Sequence, residues 1–213
     1  MEFQYERNKM VNTQLIPRGI KDIKVIEAFK KVPRHMFVDE ALYLRAYGDY
    51  PLPIGFAQTI SQPYIVSLMV ELLELKGNEK VLEIGTGSGY MTAILAEIVK
   101  KVFSIERIKE LSRNAQKTLD ELNYYNARLL VSDGTLGYAE EAPFDAVIVS
   151  AASPEIPRTY IEQLKIGGKI VIPIGDEDSQ ILKVFIKGEE DIEILSEGAC
   201  RFVKLIGRHG FEN

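Results

Sequence analysis

An apolar run at residues 81–84 leads into Gly85-Thr86-Gly87-Ser88-Gly89, and a helical pattern follows at 90–99. Three glycines at alternate positions between a strand and a helix leave the backbone open to a ligand and to the positive helix end. Twenty-one residues after Gly85 stands Glu106, at the end of the next apolar run. A carboxylate there can accept hydrogen bonds from both hydroxyls of a ribose. A glycine loop alone is weak evidence, because it also serves as a tight turn. With a strand before it, a helix after it and an acid at the next strand end, it points to a nucleotide-binding α/β sheet.

The flanking pattern agrees. Apolar strand-like runs at 81–84, 102–105, 127–131, 144–149 and 169–174 alternate with helical periods at 90–99, 109–122 and 156–164. Such alternation predicts a Rossmann-like, doubly wound, mostly parallel sheet with helices on both faces. Ahead of it, residues 22–31 read as a helix. Residues 41–60 read as irregular, punctuated by Gly48, Pro51, Pro53 and Gly55. Ile65, Leu68, Met69, Leu72 and Leu73 mark another helix, with Pro63 in its first turn. Three runs after residue 174, at 181–186, 192–195 and 202–206, predict antiparallel strands added at the sheet edge. The expected organisation is one domain over 1–213. It comprises an N-terminal helical segment and substrate loop (1–61), a cofactor-binding core (62–175) and C-terminal strands (176–213).

The loop chemistry selects among nucleotides. A dinucleotide site uses G-x-G-x-x-G, whereas here Tyr90 stands where the third glycine of that spacing belongs. Glu83, two residues before the first glycine, is expected to place negative charge near the ligand. It would repel pyrophosphate and tolerate the ammonium and sulfonium of S-adenosylmethionine. The expected cofactor is therefore S-adenosyl-L-methionine, held by Glu83, Gly85, Thr86, Gly87, Ser88, Gly89 and Glu106. Asp133-Gly134 follows the 127–131 strand on the same edge and could meet the adenine amino group; a plain Asp-Gly turn is the competing reading.

Charge and cysteine content narrow the partners. The net charge of −5 argues against a phosphate-tracking nucleic-acid binder. One cysteine, Cys200, and two histidines, His35 and His209, leave no His/Cys metal set, so no metal is expected. The single cysteine suits a reducing compartment, and no apolar run approaches the length of a membrane span. The chain is expected in the cytoplasm and off the membrane.

On the acceptor side the chain reads Gln58-Thr59-Ile60-Ser61-Gln62-Pro63, with Ser61 placed to cap the following helix. That run, together with residues 51–54, 83–90, Asp133-Gly134 and 144–153, resembles the protein-L-isoaspartate O-methyltransferase family. The likeness extends through Lys165-Ile166-Gly167-Gly168-Lys169 and Arg201-Phe202-Val203 and covers the chain from about Met10 to Phe211. The glycine loop is common to many methyltransferases; the Gln-Thr-Ile-Ser loop is far more particular. The resemblance implies a repair enzyme that methylates the α-carboxylate of L-isoaspartyl residues in damaged peptides and proteins. It implies Ser61 as the active-site serine, with Thr59, Ile60, Phe202 and Val203 gripping the peptide. A methyltransferase of RNA or of a small molecule shares the same fold and cofactor. An NAD-dependent dehydrogenase and a non-catalytic binding module are the readings from other classes.

Overall fold

Apolar residues alternate in facing along the central strands, and that alternation explains the layering. A computed structural model describes residues 3–212. After helices α1 (Gln4–Met10) and α2 (Ile23–Lys31) comes a hairpin of β1 (Leu52–Gly55) and β2 (Gln58–Ile60). Helix α3 (Pro63–Leu72) leads into β3 (Lys80–Ile84), α4 (Tyr90–Ile98), β4 (Lys101–Glu106), α5 (Lys109–Glu121) and β5 (Ala127–Val131). The chain continues through β6 (Phe144–Val149), α6 (Arg158–Glu162), β7 (Leu164–Gly175), β8 (Gln180–Lys187) and β9 (Ile192–Cys200).

Seven strands form one sheet in the order β5-β4-β3-β6-β7-β8-β9. Strands β3 to β7 run parallel, and β8 and β9 add antiparallel at one edge. Val81, Val102, Ala146 and Ile148 face one apolar cluster with residues of α2, α3 and α4. Leu82, Ile84, Phe103, Ile105 and Val147 face the other, with Tyr160 of α6. Covering both faces removes the strands from water, at about 1.5–3 kcal/mol of stabilisation for each large apolar side chain buried. The order reverses at β3: β4 lies on one side of it and β6 on the other. Such a switch point opens a crevice at the carboxyl ends of the strands. Among the described residues no helix is long and apolar enough to cross a membrane.

The sequence reading and the structure part at several places. Helix α6 is shorter than the 156–164 period suggested, and Pro157 stands just before it. The segment expected to be irregular contains the β1–β2 hairpin, whose turn places Phe56 and Ala57 at positive φ. Residues 202–206 are no edge strand. They cross the carboxyl end of the sheet, where Ala152 donates to the Val203 carbonyl (2.8 Å) and Leu205 donates to the Ala152 carbonyl (2.7 Å). Finally, α3 is not capped by Ser61. Gln62 is its N-cap, without a side-chain cap bond of its own. Asp49 takes that role from a distance, accepting from the Tyr64 N–H (3.4 Å) and from Gln62 Nε2 (2.8 Å).

Candidate active site

The crevice at the switch point is a cleft of about 780 Å³, counting its open mouth. On one side lie Thr59, Ile60 and Ser61, where β2 passes into α3. Its floor is Gly85, Thr86, Gly87 and Ser88; Glu106 and Arg107 close it at the end of β4. Ser150 and Ala151 follow β6, and residues 203–206 form the remaining wall. The expected acceptor residues and most of the glycine loop therefore meet in one place.

Local backbone chemistry sets the loop. Gly87 sits at φ +53 and Gly89 at φ +87, a region that side-chain-bearing residues rarely adopt. At Gly89 an added Cβ would also lie 3.1 Å from Ala115 Cβ, so this glycine serves the close packing of α4 on α5. Four of the five loop amides are engaged internally. Gly85 and Thr86 both donate to the Ile105 carbonyl (2.8 and 3.3 Å), Gly87 to Glu106 Oε2 (2.9 Å) and Gly89 to the Thr86 carbonyl (2.8 Å). A phosphate cradle needs those N–H groups turned outward. Here the Gly85, Thr86 and Gly87 amides tie the loop to β4 and the Gly89 amide bonds within the loop, so these four N–H groups are already engaged in the free protein. What the cleft offers is a nearly buried carboxylate, Glu106, beside a small-residue floor. That suits vicinal hydroxyls and a cationic group better than a pyrophosphate, and the residues present fit S-adenosylmethionine.

Glu83 does not face the cleft. It is fully buried beneath the loop, where Thr92 Oγ1 donates to its Oε2 at 2.5 Å and its Oε1 has no hydrogen-bond partner among the described residues. Burial pushes its carboxyl up to about 7; the nearby hydroxyls of Ser104 and Thr92 oppose that rise, and the neighbouring Glu106 charge adds to it. Ser104 in turn shares a 2.5 Å hydrogen bond with Thr86 in the loop. Thus Glu83 supports the loop from below, and the charge expected beside the ligand is partly neutralised by its own burial.

Asp133 and Gly134 also lie outside the lining. Asp133 Oδ1 accepts from Thr135 N (2.9 Å) and Thr135 Oγ1 (2.7 Å), and its Oδ2 from Arg208 N (2.8 Å). Although partial burial pushes its carboxyl up, these donors hold it below the ordinary aspartate range. Gly134 packs on β3, where an added Cβ would lie 2.6 Å from Ile84 Cγ2. Phe202 packs against the core while its N–H donates to Gln180 Oε1 at 2.7 Å; of the two expected tail residues, Val203 reaches the cleft. Arg107, Ser150 and Lys204 also line the cleft, although the sequence reading gives them no site role. The first two stand just past strand carboxyl ends, a position that marks them once the strands are placed. Among the described residues no group of three His, Cys, Asp or Glu side chains could hold a metal ion.

Comparison with known sequences decides the family. Residues 6–210 match the protein-L-isoaspartate(D-aspartate) O-methyltransferase family. The chain belongs to that family. A protein-L-isoaspartate O-methyltransferase of Syntrophus aciditrophicus is 55% identical over 212 residues, covering 98% of this chain and 97% of that one. A solved protein-L-isoaspartate O-methyltransferase superposes with a TM-score of 0.88 at 27% identity, covering 96% of this chain and 67% of that one. A Plasmodium falciparum protein assigned to the same activity, crystallised with S-adenosyl-L-homocysteine, gives a TM-score of 0.82 at 26% identity. That match covers 94% of this chain and 98% of the other. As an isoaspartate methyltransferase the chain has few titrating groups at its cleft. The Ser61 hydroxyl lines it and makes no intramolecular hydrogen bond among the described residues.

Proposed function

We propose that this chain binds S-adenosylmethionine in the cleft and methylates the α-carboxylate of L-isoaspartyl residues in damaged peptides and proteins. The observation that carries the reading is the meeting of Ser61 with Glu106 and the 85–88 loop around one cleft. S-adenosylmethionine, when bound, supplies an already activated methyl group. Glu106 would receive the ribose hydroxyls, with the small-residue floor of Gly85 and Gly87 beside it. Ser61 donates its free hydroxyl to the acceptor carboxylate and fixes its direction. Thr59, Ile60 and Val203 hold the flanking peptide.

Such a carboxylate, with an ordinary value near 4, is ionised at neutral pH, so the chain needs no general base. Its task is to hold the acceptor oxygen in line and close, a positioning effect that accounts for much of the rate in such reactions. Peptide or protein, rather than nucleic acid, is the proposed acceptor class, supported by the acidic balance of the chain. A cytoplasmic location is proposed on its lone cysteine and is checked by cell fractionation.

The test offers radiolabelled S-adenosylmethionine with two peptides that differ only in Asp against isoAsp. Label on the isoAsp peptide alone is expected. Label on neither peptide, with S-adenosylhomocysteine still bound, would return the acceptor to RNA or a small molecule.

A further inference from the structure

Arg34 follows α2 and Pro33, and its side chain is wholly buried. Its Nε donates to the Ala46 carbonyl at 2.8 Å and its Nη2 to the Ser61 carbonyl at 2.8 Å. The guanidinium lies over the Tyr90 ring, 4.8 Å from its centroid, and Tyr90 opens α4 directly after the glycine loop. Nη1 is buried with no hydrogen-bond partner among the described residues. Burial draws the guanidinium down to about 10, still charged at neutral pH, with the Tyr90 and Tyr47 rings opposing that fall. Among the described residues no carboxylate forms an ion pair with it.

Burying an unpaired cation costs several kcal/mol, and well-packed apolar groups usually stabilise a core better. A guanidinium does what such groups cannot. Its rigid planar fork reaches two carbonyls at fixed angles and stacks on an aromatic face at once. Here the guanidinium joins three pieces of chain: the segment before β1, and two that line the cleft, the acceptor loop at Ser61 and the start of α4 at Tyr90. Just after Ser61, Asp49 holds Gln62 and Tyr64. Ser61 is thus fixed at its carbonyl, while its hydroxyl stays free for a ligand.

We propose that Arg34 is a positioning residue for methyl transfer: by gripping the Ser61 carbonyl while resting on Tyr90, it sets the acceptor loop against the cofactor side of the cleft. The proposal rests on the activity read above, and its test separates the two. Arg34→Lys keeps the charge and removes the fork. In the free protein, without cofactor, hydrogen exchange should speed up across residues 58–64 and stay unchanged in 81–84 and 102–105. Unchanged exchange at 58–64 overturns the clamp, whether or not the protein methylates anything.

With isoAsp peptide, R34K should lower kcat roughly tenfold or more and leave S-adenosylhomocysteine affinity unaltered. Combined with Ser61→Ala, it should lower kcat no further, because both changes remove one effect. Additive losses would mean that Arg34 acts only on stability, and overturn the proposal. A wild-type protein inactive on isoAsp peptide would sink the activity reading, while the exchange result still decides the clamp. If R34K does not fold, the wild type serves. Slowly exchanging Arg34 guanidinium protons with magnetisation transfer to Ser61 support the clamp, and fast exchange overturns it.

Discussion

Glu106 and Gly87 are joined by a 2.9 Å hydrogen bond in which the loop amide donates to the carboxylate that closes β4. The other carboxylate oxygen accepts the Ile108 N–H, also at 2.9 Å. One side chain therefore holds the glycine loop, begins the approach to α5 and presents its remaining lone pairs to the cleft. Binding capacity and loop geometry are the same structural fact.

Glu106→Gln tests that double use. An amide must turn its NH₂ toward either the Gly87 or the Ile108 N–H, so a donor faces a donor. Folding stability should fall by about 1–3 kcal/mol and S-adenosylhomocysteine affinity by about 10- to 100-fold. Calorimetric titration measures the second quantity directly. Undiminished affinity would remove the carboxylate from the ribose role.

Ser61→Ala addresses the acceptor side alone. Among the described residues the hydroxyl has no hydrogen-bond partner to lose, so stability and S-adenosylhomocysteine affinity should hold. Turnover should drop about 10- to 100-fold, the range of one hydrogen bond to a charged group. Single-turnover methylation of an isoAsp peptide reads this without product release. Wild-type turnover in the variant would exclude the serine from catalysis.

Buried Glu83 makes a pH prediction whose sign follows from its raised value. The folded protein holds the Glu83 proton up to about 7, whereas an unfolded glutamate releases it near 4.5. The folded state thus binds more protons between those values, and stability declines as pH rises through that window. Glu83→Gln carries no such titration. Wild type should therefore lose stability relative to E83Q from pH 4.5 to 7 and then level off, by on the order of 3 kcal/mol in all. Urea unfolding of both proteins across that range checks it. A difference that does not vary with pH would place the Glu83 titration elsewhere.

Strands β3, β4 and β6 are legible because both faces are covered: Ala146 to Val149 are apolar in succession whatever their partners are, and in β3 only Glu83 interrupts Val81, Leu82 and Ile84. Helix α3 is legible from its 3.6-residue period, but its cap is not. Ser61 has the right chemistry in the right place, while the group that serves, Asp49, lies more than a dozen residues upstream and is brought there by tertiary folding. Residues 202–206 alternate as a strand does; nothing local tells them that their partner is Ala152 at the sheet's end. Arg34 gives no local sign of burial, since its partners are main-chain carbonyls that any sequence possesses. The site was readable where it follows the backbone from β3 to α4 and hidden where long-range hydrogen bonds set it.

Asp133 is where two roles can be told apart. Its carboxylate draws together Thr135 and the Arg208 N–H, and Thr135 Oγ1 in turn accepts from His209 N at 3.2 Å. These bonds fasten the chain just beyond residues 203–206, the tail wall of the cleft. Asp133→Ala should therefore cost about 1–2 kcal/mol of stability and accelerate hydrogen exchange over 203–211 in the free protein. Because donors hold the carboxyl below its usual value, its contribution is complete above about 3.8 and fades as pH falls through the lowered folded value. The wild-type advantage over D133A should accordingly shrink only in strong acid. If Asp133 were instead chiefly an adenine contact, the variant would lose S-adenosylhomocysteine affinity with the tail's exchange unchanged. The hydrogen bonds already formed in the free protein favour the fastening role, so faster exchange of the tail is the expected result.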